Sequence, residues 1–167
     1  SVRGTHDIFG EEIEKFNRIS NFVSKNAYLK DFKEIQTPIF EFSELFAKPL
    51  GEQSDVVLKE MYSFEDRNNE FLTLRPEYTT PMIRAAITNN LLNDLPLKIF
   101  GIGPMFRRER PQKGRYRQFN QINFEILGTK DFLADVELIS LSNNILKELL
   151  PKSNIRLQIN SLGEKET

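Results

Sequence analysis

Leu97-Lys98-Ile99-Phe100-Gly101-Ile102-Gly103-Pro104-Met105-Phe106 and Arg117-Gln118-Phe119-Asn120-Gln121-Ile122-Asn123-Phe124-Glu125-Ile126-Leu127 are the two longest strand candidates in the chain. The basic stretch Arg110-Pro111-Gln112-Lys113-Gly114-Arg115-Tyr116 separates them, so the pair reads as an antiparallel hairpin with a cationic tip. Side chains alternate between faces along a strand. Phe100, Ile102 and Phe106, with Pro104 between, share one face with Ile122, Phe124 and Ile126, and this apolar face is predicted to be core. The other face carries Arg107 and Glu109, then Arg117, Phe119, Gln121, Asn123 and Glu125. Closing the hairpin brings Arg107 near Phe119 and Gln121. Gly101 and Gly103 lie on that second face, where a missing side chain leaves room for a ligand or a backbone to approach.

Outward from the hairpin the signals alternate between helix and strand. Ile13, Phe16, Ile19, Val23 and Ala27 recur at helical spacing and predict a helix over Glu11–Ala27. Lys33–Thr37 reads as a short strand ending at Pro38, Ser43 as the start of a helical turn, and Gly51–Asp55 as a polar loop. Met61–Phe64 and Phe71–Leu74 read as strands joined by a turn-rich stretch. Thr79-Thr80-Pro81 opens a helix running to about Asn90, with a threonine as cap. A last helix over Asp131–Leu150 stops at Pro151, and Arg156–Asn160 reads as a final strand. Strands that neighbour in sequence imply hairpins, so the class is α+β, an antiparallel sheet flanked by helices.

Composition narrows the function classes. At 167 residues the chain is one domain or part of one. With 39% hydrophobic and 28% charged residues it is foldable rather than disordered. A net charge of -1 supplies no global attraction to nucleic acid, so any such contact must be local. Cysteine is absent, which excludes disulfides and thiolate metal sites and fits a reducing compartment. No apolar run reaches membrane-spanning length, and none reads as a signal peptide. His6 is the only histidine, has no partner histidine or cysteine, and is read as a loop residue rather than a ligand, so no metal site is expected. Arg84, Lys98 and Lys152 are read as solvated.

The polar face of the hairpin gathers a guanidinium, carboxylates, an amide and an aromatic ring under a cationic loop. A nucleotide and an amino acid need such groups: arginine holds phosphate bidentately, phenylalanine stacks on a base, and a carboxylate takes a cationic end. By alternation alone, a solvated sheet face with cross-strand ion pairs would look the same.

Phe106-Arg107-Arg108-Glu109 resembles motif 2 of the class II aminoacyl-tRNA synthetases, and the longer run Pro104 to Phe119 resembles the histidyl-tRNA synthetase form of it. Leu74-Arg75-Pro76-Glu77 with Thr79, Arg3-Gly4-Thr5 with Asp7, Gly51-Glu52 with Asp55, and Lys59-Glu60-Met61-Tyr62 are similar to further signatures of that family. Glu11 to Pro38 resembles motif 1, which forms the dimer interface.

The resemblance implies a partial class II catalytic domain over residues 1–167, holding motifs 1 and 2 but neither motif 3 nor an anticodon-binding domain, and expected to be inactive alone. It implies activation of histidine with ATP and Mg2+ to histidyl-adenylate, then transfer to tRNA(His), in a cytoplasmic homodimer. Arg107 would hold the α-phosphate and the substrate carboxylate as the catalytic residue. Glu109 would meet the adenine, Phe119 would stack on it, and Arg115 with Tyr116 beside it would reach the outer phosphates. Glu77, Thr79 and Gln121 would bind the α-amino end, and Glu125 the imidazole. Tyr78 stands where the family often has glycine and adjoins the amino-acid pocket; Asn120 stands where histidine is frequent and falls on the apolar face. Two other readings are a regulatory histidine-binding paralogue of histidine biosynthesis and a free-standing nucleic-acid-binding module using the basic loop. The intact motif 2 run weighs against the first, and the near-neutral charge against the second.

Overall fold

A computed structural model describes residues 1–51 and 56–160. Residues 52–55 of the predicted polar loop, with Glu52 and Asp55 of the signature found there, lie outside the described residues. The chain forms two compact units, Ser1–Thr129 and Lys130–Thr167.

The first unit opens with α1 (Glu11–Tyr28). Glu11, Glu12 and Glu14 occupy its first turn, where negative charge meets the positive end of the helix dipole. Val23 and Ala27 are its buried positions. Two three-stranded sheets follow. One has the order β1 (Lys33–Glu34), β5 (Leu97–Phe106), β6 (Gln118–Leu127). The other has β2 (Phe40–Phe42), β4 (Phe71–Leu74), β3 (Tyr62–Glu65). Between them in the chain stand α2 (Glu44–Leu50), a π-helical turn at Val56–Glu60, and α3 (Thr79–Thr88). The long hairpin is antiparallel in unbroken register from Leu97 opposite Leu127 to Phe106 opposite Gln118. β1 runs parallel to β5, an exception to the antiparallel expectation, and it is shorter than the predicted Lys33–Thr37. Phe40–Phe42 was not foreseen as a strand; it is recruited by pairing with β4.

The predicted core face is half of the answer, because both faces of β5 are covered. On the even face Phe100 stacks on Phe124 at 5.9 Å, with Tyr28 edge-on to Phe100 and Phe32 edge-on to Phe124. Further along the same face Ile122 is 39% exposed. On the odd face Leu97, Ile99 and Met105 pack against Tyr78, Met82 and Ala86, and Phe119 joins them. That second core exists because Gly101 and Gly103 leave a groove. A Cβ at position 101 would lie 2.6 Å from Tyr78 Cε1, and one at 103 would collide with the Arg75 guanidinium. The two glycines therefore receive protein side chains rather than a ligand. Tyr78 is buried there, its hydroxyl donating to the Ile35 carbonyl at 3.3 Å. Its ring thus fills the groove over the two glycines.

Arg75 is buried beside that ring, its guanidinium 4.2 Å above the centroid. Its Nε donates to the Pro104 carbonyl at 2.9 Å, and Nη1 to the carbonyl and hydroxyl of Thr37, each at 3.0 Å. One side chain thus joins the segment after β1 to β5. In the second sheet the Thr73 hydroxyl bonds those of Ser43 and Ser63, at 2.6 and 2.7 Å. The register places Phe40, Phe42 and Phe64 together on the opposite face, and all three are exposed. Arg84 is not merely solvated: it pairs with Glu41 of β2. Lys98 donates to the Lys30 carbonyl at 3.0 Å and lies over the Phe32 ring.

The second unit contains α4 (Phe132–Leu149). Asp131 caps it, accepting from the Leu133 amide at 2.9 Å. Arg156–Asn160 is not a strand: a strand requires a hydrogen-bonded neighbour, and none of the described residues pairs with it. Among the described residues no helix is long and apolar enough to cross a membrane.

Candidate functional site

The predicted nucleotide residues converge. Arg107, Glu109, Arg115, Tyr116 and Phe119 line a single cavity of about 490 Å³, together with Gly114 and Asn120. Arg107 follows the end of β5, where its amide donates to the Arg117 carbonyl at 2.9 Å. Its Nε donates to the Pro76 carbonyl at 2.8 Å, and its guanidinium carbon lies 5.3 Å from the Phe119 ring centroid. One donor thus fixes the fork on the protein, and the terminal nitrogens have no hydrogen-bond partner among the described residues. The loop above closes on itself through Gln112 and Arg115, whose backbones exchange hydrogen bonds of 3.1 and 2.9 Å around Gly114 at φ 77°. Arg115 pairs with Glu109 across the cavity. Both groups line the same cavity, and there each is paired with the other.

Asn120 lines this cavity, correcting the expectation that its strand parity would remove it from the site. β6 begins at Gln118, so residue 120 stands beside the connecting loop, where the even positions of β6 are exposed. Residues near the N-terminus also reach the loop. The Gly4 carbonyl accepts from the Arg117 amide at 2.7 Å, and the His6 ring tilts against Tyr116 at 4.7 Å.

The predicted amino-acid residues gather where α3 meets β6. Thr79 Oγ1 donates to Glu125 Oε1 at 2.7 Å, and Asn123 Nδ2 donates to the same oxygen at 2.8 Å. Gln121 Oε1 is buried without a hydrogen-bond partner among the described residues. An orphaned buried acceptor costs about 1–3 kcal/mol, so a donor from beyond the described residues would be favoured here. Glu77 Oε1 accepts from the Thr80 amide at 2.9 Å, so this carboxylate, rather than a threonine, caps α3. Pro81 falls third in the helix, not first. Sequence reading placed Asn123 on this face without giving it a role; the signal was its spacing of two from Gln121 and from Glu125, which puts all three on one side of β6.

The first unit therefore presents a cation and an aromatic ring in one cavity and a set of acceptors beside the start of α3. The histidyl-tRNA synthetase family profile matches residues 4–163. Relatives named histidine–tRNA ligase from Wolbachia pipientis of Culex pipiens and from Ehrlichia canis are 50% and 51% identical over 167 and 166 residues. The matches cover 100% and 99% of this chain, and 40% of each relative. The chain thus spans about 40% of the length of these curated relatives. The crystal structure of apo histidyl-tRNA synthetase from S. aureus superposes with a TM-score of 0.74 at 33% identity, covering 89% of this chain and 34% of that one. A Bacillus halodurans structure titled ATP phosphoribosyltransferase regulatory subunit/histidyl-tRNA synthetase gives a TM-score of 0.77 at 23% identity, over 89% of this chain and 38% of its own, a likeness of fold. By family profile, sequence and fold, the chain belongs to the histidyl-tRNA synthetase family.

Proposed function

We propose that this chain forms the ATP- and histidine-binding part of a histidine–tRNA ligase. The observation that carries the reading is that one hairpin carries both the cavity around Arg107 and Phe119 and the acceptors Gln121 and Glu125, which the start of α3 joins through Thr79. Arg107 is the catalytic residue: its guanidinium binds the α-phosphate and the histidine carboxylate together. A carboxylate oxygen attacks the α-phosphorus in line, the bond to the bridging oxygen breaks, and pyrophosphate leaves. This reaction depends on positioning and on charge neutralisation, and no protein nucleophile is needed. Phe119 stacks on adenine, Glu109 meets its edge, and Arg115 with Tyr116 turns to the outer phosphates. Glu77 and Gln121 take the α-ammonium with the remaining lone pair of Thr79, and Glu125 takes an imidazole N–H, which separates histidine from apolar side chains of similar size.

Magnesium would travel on the ATP phosphates. Among the described residues no group of three or more His, Cys, Asp and Glu could hold a metal ion, and no step above runs through one. Transfer of the histidyl group to tRNA(His) completes the reaction, in the cytoplasm, where that substrate is used. The exposed Phe40, Phe42 and Phe64 on one sheet face support a homodimer, which sedimentation would reveal as twice the chain mass.

The test is amino-acid-dependent ATP–pyrophosphate exchange with all twenty amino acids, in a protein of the relatives' full length that carries this chain. Exchange with histidine alone, lost in Arg107→Ala and Glu125→Ala, is the expected result. Histidine binding without exchange would replace this reading with a regulatory, non-enzymatic subunit.

A further inference from the structure

Asn123 is an amide set among the polar groups where α3 meets β6, and its N–H groups point at a carboxylate and a hydroxyl. It stands on β6 opposite Gly101, between Gln121 and Glu125 on the same face. Its Nδ2 lies 2.8 Å from Glu125 Oε1, 3.2 Å from Thr79 Oγ1 and 3.6 Å from Met82 Sδ. The orientation of the amide follows from chemistry, since a carboxylate oxygen accepts and the amide must turn its N–H groups toward it. Glu125 Oε1 is then filled by two donors, the amide of Asn123 and the hydroxyl of Thr79. Glu125 Oε2 has no protein partner among the described residues. The Thr79 hydroxyl, having spent its hydrogen on Glu125, faces a ligand only as an acceptor.

We propose that Asn123 is a positioning residue of this pocket: by holding Glu125 Oε1 it fixes the carboxylate so that Oε2 alone meets a ligand N–H, and it fixes Thr79 as an acceptor. This deepens the reading of the pocket as the amino-acid site and rests on it. Without that anchor only the Thr79 hydroxyl holds the carboxylate, which turns more freely about its last torsion, broad and shallow for Glu. It then offers either oxygen at many angles. A ring N–H, which points in one direction, loses more from this than a freely rotating ammonium does. The effect therefore falls on the amino-acid side chain and leaves ATP alone.

The experiment measures histidine and ATP KM values by ATP–pyrophosphate exchange for wild type, Asn123→Ala and Asn123→Asp, in a protein of the relatives' full length. Asn123→Asp keeps the shape, removes the donor and places a second carboxylate beside Glu125. The expected result is a rise of about tenfold in histidine KM for Asn123→Ala, from loss of one hydrogen bond to a charged group, and a larger rise for Asn123→Asp, with ATP KM within about twofold of wild type. An Asn123→Asp protein with wild-type histidine KM would overturn the proposal, as would histidine and ATP KM rising together. Wild type without histidine-dependent exchange would instead sink the function reading, a separate outcome. Should either variant fail to fold, NMR of the wild-type Asn123 side-chain amide decides. Two separate resonances, protected from exchange and shifted by histidine, support the role; a single averaged, unprotected pair that ignores histidine refutes it.

Discussion

Replacing Gly101 by alanine tests whether the second core is built as described. The added methyl would stand 2.6 and 2.8 Å from Tyr78 Cε1 and Cζ and 3.0 Å from the Ile35 carbonyl. The ring has little room to yield: it is 1% exposed, bonded through its hydroxyl to Ile35 and covered by Arg75. Overpacking of this kind costs about 1–3 kcal/mol. For a chain of this size that lowers the melting temperature by roughly 2–12 °C. Tyr78→Ala alone removes a buried ring and costs about 3–5 kcal/mol by analogy with other large aromatic truncations. The informative protein is the double variant. Once Tyr78 is an alanine only the Ile35 carbonyl at 3.0 Å still crowds the methyl at 101, so the second substitution costs little or fills part of the cavity. The two losses are therefore expected to fall short of adding by about 1–3 kcal/mol. Urea unfolding followed by circular dichroism on the four proteins measures this. Losses that add, or a Gly101→Ala protein as stable as wild type, would mean that the ring does not fill the glycine groove.

Two further outcomes follow from other contacts. Gly4 sits at φ 89°, and a Cβ there would lie 2.8 Å from Pro111 Cγ and 2.9 Å from Arg117 Cγ; Gly4→Ala is expected to raise ATP KM about tenfold through displacement of the loop root, with histidine binding unchanged in calorimetry. The Tyr28 phenol titrates above its ordinary 10.0, first because its hydroxyl donates to Glu34 at 2.7 Å, then through desolvation and the charge of that carboxylate. A raised folded-state value means that this contribution to stability is complete below pH 10 and is lost as pH climbs through the folded titration. In ultraviolet titration, Glu34→Gln should bring the Tyr28 transition down, and an unmoved curve would remove Glu34 as the cause.

Much of this molecule could be read from sequence, for identifiable reasons. Phe71–Leu74 and Leu97–Phe106 were predicted to the residue, and α1 and α4 to within a residue or so at each end, because long periodic segments with clear stops leave little choice. The core face of the hairpin was misjudged because the polarity of β6 was taken to speak for both strands. Leu97, Ile99 and Met105 are apolar on the odd face as well, so β5 reads as a strand buried on both sides. That Tyr78 would fill the space above two glycines depends on α3 crossing there, a tertiary fact no local pattern carries. That Arg107, Glu109, Arg115, Tyr116 and Phe119 would share one cavity was legible because the motif is long and continuous. Asn123 and Asn120 were not, since an amide announces its role only through its partners. The strand at Phe40–Phe42 was hidden for a similar reason: it is short and exposed, and only pairing with β4 makes it one.

Arg75 has a consequence for how anions are held at different ionic strengths. Its charge is buried, and its partners among the described residues are carbonyls, a hydroxyl and a ring face, with no carboxylate to cancel it. Mobile ions screen exposed charges within about 10 Å at moderate salt but act weakly on a charge sealed in the interior. The cations of the loop, Arg110, Lys113 and Arg115, stand on the exposed side of that boundary and Arg75 on the other. Added salt should thus strip away the loop's share of the attraction for phosphate and stop at a floor, the part of the potential that the fold carries inside itself.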